Sequence, residues 1–137
     1  MSGAFVDTSA LYAVLDAADD HHPGAAAEWR RLLTAQVPLV TTNYVLLETT
    51  ALLQHRLGLE AVRALERDIL PVLAVQWVDE SAHRAGMSAV LVAARRDVGL
   101  VDCVSFSTMR ELGLHEVFAF DEHFAQQGFA CLPSGSP

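Results

Sequence analysis

Four acidic side chains stand out because each lies in otherwise apolar sequence. They are Asp7 in Ala-Phe-Val-Asp-Thr-Ser, Glu48 in Tyr-Val-Leu-Leu-Glu-Thr-Thr, Asp102 in Gly-Leu-Val-Asp-Cys-Val, and Asp121 in Phe-Ala-Phe-Asp-Glu-His. Burying a carboxylate is costly unless the group is paired. All nine basic residues are arginine, and none of them adjoins any of the four acids. These acids therefore need a partner that their neighbours in sequence do not supply.

A shared metal ion would satisfy all four acids, because crowded carboxylates otherwise repel one another and raise their pKa values. Oxygen ligands without a cluster of histidine or cysteine suit Mg²⁺, with Mn²⁺ as an alternative. Such a centre can activate a water molecule and stabilise the charge that develops on a phosphodiester. The pattern therefore favours phosphodiester hydrolysis, although each acid taken alone could equally be a helix cap, the partner of a distant arginine or a strand-end residue.

The histidines are not needed for this chemistry. His21 and His22 lie in a polar stretch, and His123 follows Asp121 by two residues. No HxxxH or paired Cys/His spacing accompanies them. We therefore expect neither a zinc site nor a histidine base.

The predicted elements bring the four acids toward one another. Asp7 follows an apolar run over residues 4–6, and Asp121 follows one over 116–120; both runs are predicted strands. Ligands of open α/β sheets bind at the carboxyl ends of the strands. Asp102 is predicted to open a helix that ends at Leu112, before Gly113. Glu48 is predicted near the second turn of a helix that begins at Thr42 or Asn43, with its side chain directed toward packed residues.

The rest of the chain alternates between predicted strands and predicted helices. Further strands are predicted over 38–42 and 72–78, and further helices over 23–35, 59–70 and 80–96, the last with Asp79 as its N-cap. This alternation is typical of an α/β sandwich around a mainly parallel sheet. We expect one domain over residues 1–132 and a flexible tail over 133–137.

Composition excludes several classes of protein. With 137 residues, 52% of them hydrophobic, the chain can form one substantial core. The net charge of −8 excludes phosphate binding through bulk positive charge, and the lack of lysine excludes P-loop hydrolases and Schiff-base enzymes. Two cysteines 28 positions apart, without the pattern of an export signal or membrane span, predict a reduced cytoplasmic protein.

Four motifs occur in order along the chain. They are Phe5-Val-Asp-Thr-Ser-Ala-Leu, Thr41-Thr-Asn-Tyr-Val-Leu-Leu-Glu-Thr, Leu100-Val-Asp-Cys-Val-Ser-Phe, and Ala119-Phe-Asp-Glu-His-Phe followed by Gly128-Phe129. Together they resemble the PIN-domain family, most of all the VapC-type toxin ribonucleases of prokaryotic toxin–antitoxin pairs. The resemblance covers residues 4–132 without a large insertion, and the ordered set is far more specific than any one motif.

The resemblance implies a three-layer α/β/α sandwich and a metal-dependent endoribonuclease. By motif match, Asp7 and Asp102 are the principal Mg²⁺ ligands, Glu48 is the third acid and Asp121 is the fourth, the last two acting partly through water. Ser9 would orient Asp7 or a metal-bound water.

Other polar residues have weaker expected roles. Asn43 could position Glu48 or substrate, or simply cap its helix. Asp97 lies where relatives often carry a further acid, and we otherwise expect a surface loop residue there. Arg95 and Arg96 are the first candidates for local contacts to RNA phosphates, with a solvated helix end as the alternative.

The resemblance also implies protein partners. A small antitoxin would wrap the toxin and place a basic side chain in the acidic pocket. Leu11, Tyr12 and Trp29 could help to line a groove for it, although residues of these types more often belong to the core. A homodimer is also implied.

Two other functions are compatible with part of this pattern. A haloacid-dehalogenase-like phosphatase also begins with an aspartate after a strand, but its motif needs a second acid where this chain has Ser9, and it needs a lysine. A PIN-like module without catalytic activity would have lost some of the four acids, whereas all four are present.

Overall fold

The structure is a computed structural model that describes residues 2–135, and its centre is a five-stranded sheet. The strands are β1 (Ala4–Val6), β2 (Leu39–Thr42), β3 (Ala74–Gln76), β4 (Glu116–Phe118) and β5 (Ala130–Leu132). All neighbouring strands pair in parallel, in the order β3-β2-β1-β4-β5. This arrangement confirms the predicted parallel α/β fold.

Seven helices connect the strands and cover both faces of the sheet. They are α1 (Thr8–Leu15), α2 (His22–Thr34), α3 (Asn43–Arg56), α4 (Leu59–Ala64), α5 (Glu80–Ala93), α6 (Leu100–Leu112) and α7 (His123–Gln126). Every residue of β1 and β2 is buried, although successive strand residues point to opposite faces. Both faces must therefore be covered, as in a three-layer α/β/α sandwich.

The topology creates a crevice beside the central strand. From β1 the chain proceeds to β2 and β3 on one side and returns to β4 and β5 on the other. The reversal lies between β1 and β4, and such switch points are where open α/β sheets bind ligands. Asp7 follows β1 directly and Asp121 lies three residues after β4, so both acids lie at this crevice.

Several predicted ends of elements are confirmed by their caps. Thr42 Oγ1 accepts a hydrogen bond from the Val45 N–H at 3.2 Å, and Asp79 Oδ1 accepts one from Ala82 at 2.8 Å. Gly113 ends α6 in the left-handed conformation, with φ of 68°.

Other boundaries differ from the prediction. The helix predicted over 59–70 is α-helical only through Ala64 and continues as a wider π turn and a 3₁₀ turn that contains Pro71. The strands predicted over 72–78 and 116–120 are shorter, and α5 ends before Ala94, whose φ is +54°. Helix α6 begins at Leu100, so Asp102 is its third residue and does not open it. Helix α7 and strand β5 were not predicted, because each contains only three or four residues.

Four side chains are more buried than an exposed role would require. Glu28 lies among polar residues in sequence, yet it is only 6% exposed and pairs with Arg31 through two hydrogen bonds of 2.9 and 2.5 Å. Leu11 and Tyr12, which could have lined a groove, lie in the hydrophobic core, the alternative place for them. Trp29 is half-buried against that core.

Two remaining expectations concern the chain as a whole. Residues 136 and 137 of the predicted tail lie outside the described residues. None of the helices in residues 2–135 has the length and apolar character required to cross a membrane.

Candidate active site

Asp7 is the most deeply buried of the four acids, with an exposed fraction of 3%. It caps α1, and its Oδ2 accepts hydrogen bonds from the Ser9 N–H at 3.1 Å and the Ser9 hydroxyl at 2.7 Å. Burial raises the pKa of Asp7 to about 6; the Ser9 hydrogen bonds oppose the rise, and the charges of Asp102 and Asp121 add to it. The protein therefore holds a carboxylate where its negative charge is disfavoured.

Ser9 joins the two loops at the crevice. Its hydroxyl donates to Asp7 and accepts a hydrogen bond from the Phe120 N–H at 2.9 Å. Phe120 directly precedes Asp121 in sequence. The structure thus places Ser9 where it fixes the Asp7 side chain and the segment that carries Asp121.

Asp102 lies in the first turn of α6, where its Oδ2 accepts a hydrogen bond of 3.3 Å from the Gly99 N–H. Burial raises the pKa of Asp102, and the negative charges of Asp121 and Glu48 raise it further, against that hydrogen bond. Asp102 is therefore near enough to Asp121 and Glu48 for their charges to act on it. Asp7 is influenced in the same way by Asp102 and Asp121, so the four acids form one electrostatically coupled cluster, which we call the acidic pocket.

Glu48 is brought to this pocket from α3, but its predicted burial is wrong. The residue is exposed, because Val45 and Thr49 form the fully buried face of the helix and Glu48 lies to one side of it. The charge of Glu48 nevertheless raises the pKa of Asp102, so the two acids are near enough to interact. The role of Glu48 as an outer acid stays a prediction.

Asp121 is close to a histidine that the sequence did not single out as a ligand. Its Oδ1 accepts a hydrogen bond of 2.9 Å from the His123 N–H and lies 2.6 Å from His123 Nδ1, which has no hydrogen bond of good geometry. One potential ligand atom from each of Asp102, Asp121 and His123 lies within 4.8 Å of the others. The only sequence signal for His123 was its position two residues after Asp121.

Asp97 supports this histidine from the opposite side. Its Oδ2 lies 3.1 Å from His123 Nε2, and Arg95 binds both of its carboxylate oxygens at 3.1 and 2.7 Å. The Arg95 and His123 contacts lower the pKa of Asp97 to about 2, and the Asp97 contact raises the pKa of His123. Asp97 is therefore a loop residue that links Arg95 to His123.

The other predicted site residues have different surroundings. Arg95 is held by Asp97 next to the pocket, and Arg96 beside it is exposed. Asn43 Oδ1 accepts a hydrogen bond of 2.7 Å from the Val78 N–H, so this side chain anchors the segment after β3. The cap of α3 is the neighbouring Thr42.

The cluster has the donor chemistry of a centre for a hard divalent cation. Among the ion pairs of residues 2–135, none joins Asp7, Glu48 or Asp102 to an arginine. Buried carboxylates with raised pKa values and without a basic partner fit a bound cation that neutralises them.

Known proteins share this fold over most of the chain. The VapC20 proteins of two Mycobacterium tuberculosis strains, CDC 1551/Oshkosh and H37Rv, are described as 23S rRNA-specific endonucleases; each is 35% identical over 127 residues, which cover 91% of this chain and 94% of theirs. The crystal structure of Mycobacterium tuberculosis VapC20, described as a sarcin-ricin loop cleaving toxin, superposes with a TM-score of 0.79 at 32% identity and covers 93% of this chain and 96% of that chain.

A more distant structure shows the same fold. FitAcB from Neisseria gonorrhoeae superposes with a TM-score of 0.67 at 17% identity, covering 93% of this chain and 95% of that chain. The family model of the PIN domain matches residues 4–130. The chain belongs to the PIN-domain family of nucleases and is similar to the VapC20 toxin over most of its length.

Proposed function

We propose that this protein is a Mg²⁺-dependent endoribonuclease, with Mn²⁺ as a possible substitute, that acts as the toxin of a toxin–antitoxin pair. The observation that carries the proposal is the shared acidic pocket, in which burial raises the pKa values of Asp7 and Asp102 and no arginine pairs with either. Membership of a nuclease family supports the reaction class. It also removes the haloacid-dehalogenase-like phosphatase as a rival.

Asp7, Asp102 and Asp121 would hold the metal ion, and Glu48 would complete the acidic set from the solvent side. Ser9 keeps Asp7 in one orientation, and the first turn of α6 keeps Asp102 at the pocket. His123 contacts Asp121 from the other side, and Asp97 in turn contacts His123. When bound, the divalent ion supplies a more acidic water and neutralises charge on the phosphodiester.

We infer a structured ribosomal RNA as substrate. The relative that supports this is VapC20, whose description names 23S rRNA and whose crystal structure is that of a sarcin-ricin loop cleaving toxin. Its similarity extends over more than nine-tenths of both chains. Arg96, which is exposed and adjoins Arg95 in sequence, would contact an RNA phosphate.

The proposal includes the partners expected for such a toxin. A small antitoxin with a basic side chain would compensate the same acidic pocket, and a homodimer and a cytoplasmic location complete the expected setting. Neither a membrane partner nor a zinc ion is part of it.

The decisive experiment incubates metal-stripped, antitoxin-free protein with total RNA in the presence of Mg²⁺, Mn²⁺ or chelator. Discrete fragments are expected with the metals and not with chelator. Asp102→Asn should abolish them, because it removes a charge and keeps the shape. The matched control is Asp68→Asn, an exposed acid paired with Arg67, which should cleave normally.

Two results would contradict the proposal. Cleavage by Asp102→Asn at the normal rate would place the reaction elsewhere. Folded protein that binds Mg²⁺ but cuts no RNA, including intact ribosomes, would favour the catalytically inactive PIN-like module.

A further inference from the structure

Beside Asp121, two aromatic rings form a stack that catalysis does not use. The rings of His21 and Phe120 are nearly parallel, with centroids 4.3 Å apart and an interplanar angle of 17°. His21 is exposed, whereas Phe120 is half-buried and directly precedes Asp121. We propose that this pair, the His21–Phe120 stack, receives one unpaired nucleobase of the RNA substrate; the inference rests on the proposed ribonuclease function.

Both members of the stack are fixed by backbone hydrogen bonds. The Phe120 N–H donates to Ser9 Oγ at 2.9 Å, and the Phe120 ring packs edge-on against Phe118. The His21 N–H donates to Asp19 Oδ2 at 3.0 Å, and its carbonyl accepts from Ala25 at 2.9 Å at the start of α2. The backbones that carry the two rings are therefore fixed before RNA arrives, which limits the backbone entropy lost on binding.

The stack borders a cavity that is large enough for a planar ligand. Its volume is about 330 Å³, and it is lined by both rings together with Asp121, Ala125, Cys131 and Pro133. Because Asp121 belongs to the acidic pocket and also lines this cavity, the two sites are continuous. A base in the cavity would belong to a nucleotide close to the phosphate that reacts.

The chemistry of the cavity favours a base over other parts of RNA. Asp121 and Glu122 on its rim disfavour a phosphate group, whereas a nucleobase is uncharged and can stack on an aromatic face. Proteins that recognise unpaired RNA stack its bases on aromatic side chains, histidine included. In this chain, whose net charge is −8, stacking is also a source of affinity that needs no positive charge.

The test measures RNA binding in an Asp102→Asn background, which prevents cleavage. The probe is a single-stranded oligoribonucleotide that contains 2-aminopurine, with anisotropy to report binding and 2-aminopurine fluorescence to report stacking. His21→Ala is expected to weaken binding roughly 5- to 100-fold and to remove the quenching of fluorescence. His21→Phe should restore both, because it keeps a planar ring. The matched control is His115→Ala, an exposed histidine at the amino end of β4, which should bind like the parent.

The outcomes separate this inference from the proposed function. Binding and quenching by His21→Ala equal to the parent would overturn the inference, as would failure of His21→Phe to restore either signal. In the active background, His21→Ala should raise KM more than it lowers kcat, since it leaves the acids intact. If the unmodified protein cleaves RNA and His21→Ala behaves identically, only the stacking site is refuted. If the unmodified protein binds and quenches the probe but never cleaves, only the nuclease function is refuted.

Discussion

Replacing Asp7 with asparagine should stabilise the metal-free protein near neutral pH, although it removes a proposed metal ligand. Burial raises the pKa of Asp7 from 3.8 to about 6. Between these two values the folded protein binds more protons than the unfolded chain, so stability falls as the pH rises. The difference of about 2 units corresponds to about 3 kcal/mol, all of it lost above pH 6. Asparagine has no charge to bury and can still accept the Ser9 hydrogen bonds, so Asp7→Asn should recover up to that amount.

Thermal and urea unfolding of metal-stripped protein would measure this effect. At pH 7.5, Asp7→Asn should unfold at a higher temperature than the unmodified protein, by on the order of 10 °C at the upper limit. At pH 4 the difference should nearly vanish, because Asp7 is then mostly protonated in the folded state. Asp68→Asn is the control; Arg67 lowers the pKa of this exposed acid, so its removal should bring no gain at pH 7.5.

Addition of Mg²⁺ should reverse the order of the two proteins. A ligand at 1,000 times its Kd stabilises the folded state by about 4.1 kcal/mol, which exceeds the gain of about 3 kcal/mol from Asp7→Asn, and this stabilisation requires the complete site. The unmodified protein should therefore gain stability with Mg²⁺, whereas Asp7→Asn should not. The reasoning is refuted if metal-free Asp7→Asn is the less stable protein at pH 7.5, or if Mg²⁺ stabilises both proteins equally.

Three further changes test the structure around the site. Ser9→Ala should weaken Mg²⁺ binding in calorimetry and raise the pH at which binding begins, because Asp7 loses a hydrogen bond that lowers its pKa; unchanged binding would contradict the orienting role of Ser9. Gly86→Ala should destabilise the protein by about 1–3 kcal/mol in urea unfolding, because the added Cβ would lie 2.6 Å from Val104 Cγ2; equal or higher stability would show that α5 and α6 separate freely. Asp79→Ala should cost about 1 kcal/mol in the same assay through loss of the α5 cap, whereas Asp79→Asn should cost less.

The positions of Asp7 and Asp121 could be predicted because each follows an apolar run that forms a buried strand. The parallel order of those strands then places both acids at one edge of the sheet. Asp102 was found in the same way from its apolar flanks, but the start of its helix was misplaced by two residues, since Gly99 forms the N-cap.

Long-range contacts could not be predicted from local patterns. His123 and Asp97 are separated by 26 positions, and their contact depends on how the loop before α6 meets the loop after β4. Glu48 was expected to be buried because its neighbours are apolar, yet the buried face of α3 runs through Val45 and Thr49. Glu28 shows the opposite relation, since it lies among polar residues in sequence, yet its side chain is buried and pairs with the half-exposed Arg31.

The negative charge of the four acids determines how the proposed metal ion, RNA substrate and antitoxin would bind at the pocket. Five of the nine arginines are already paired with acids outside the four-acid set, so few remain to attract RNA over a distance. Without a cation, the pocket repels phosphate and carries the cost of burying Asp7. A bound divalent ion would remove both penalties. The basic side chain of an antitoxin would remove the stability penalty alone, because it would occupy the position that the ion and phosphate need. Under the proposed function, the same acids would therefore serve catalysis with a metal and inhibition with a protein partner.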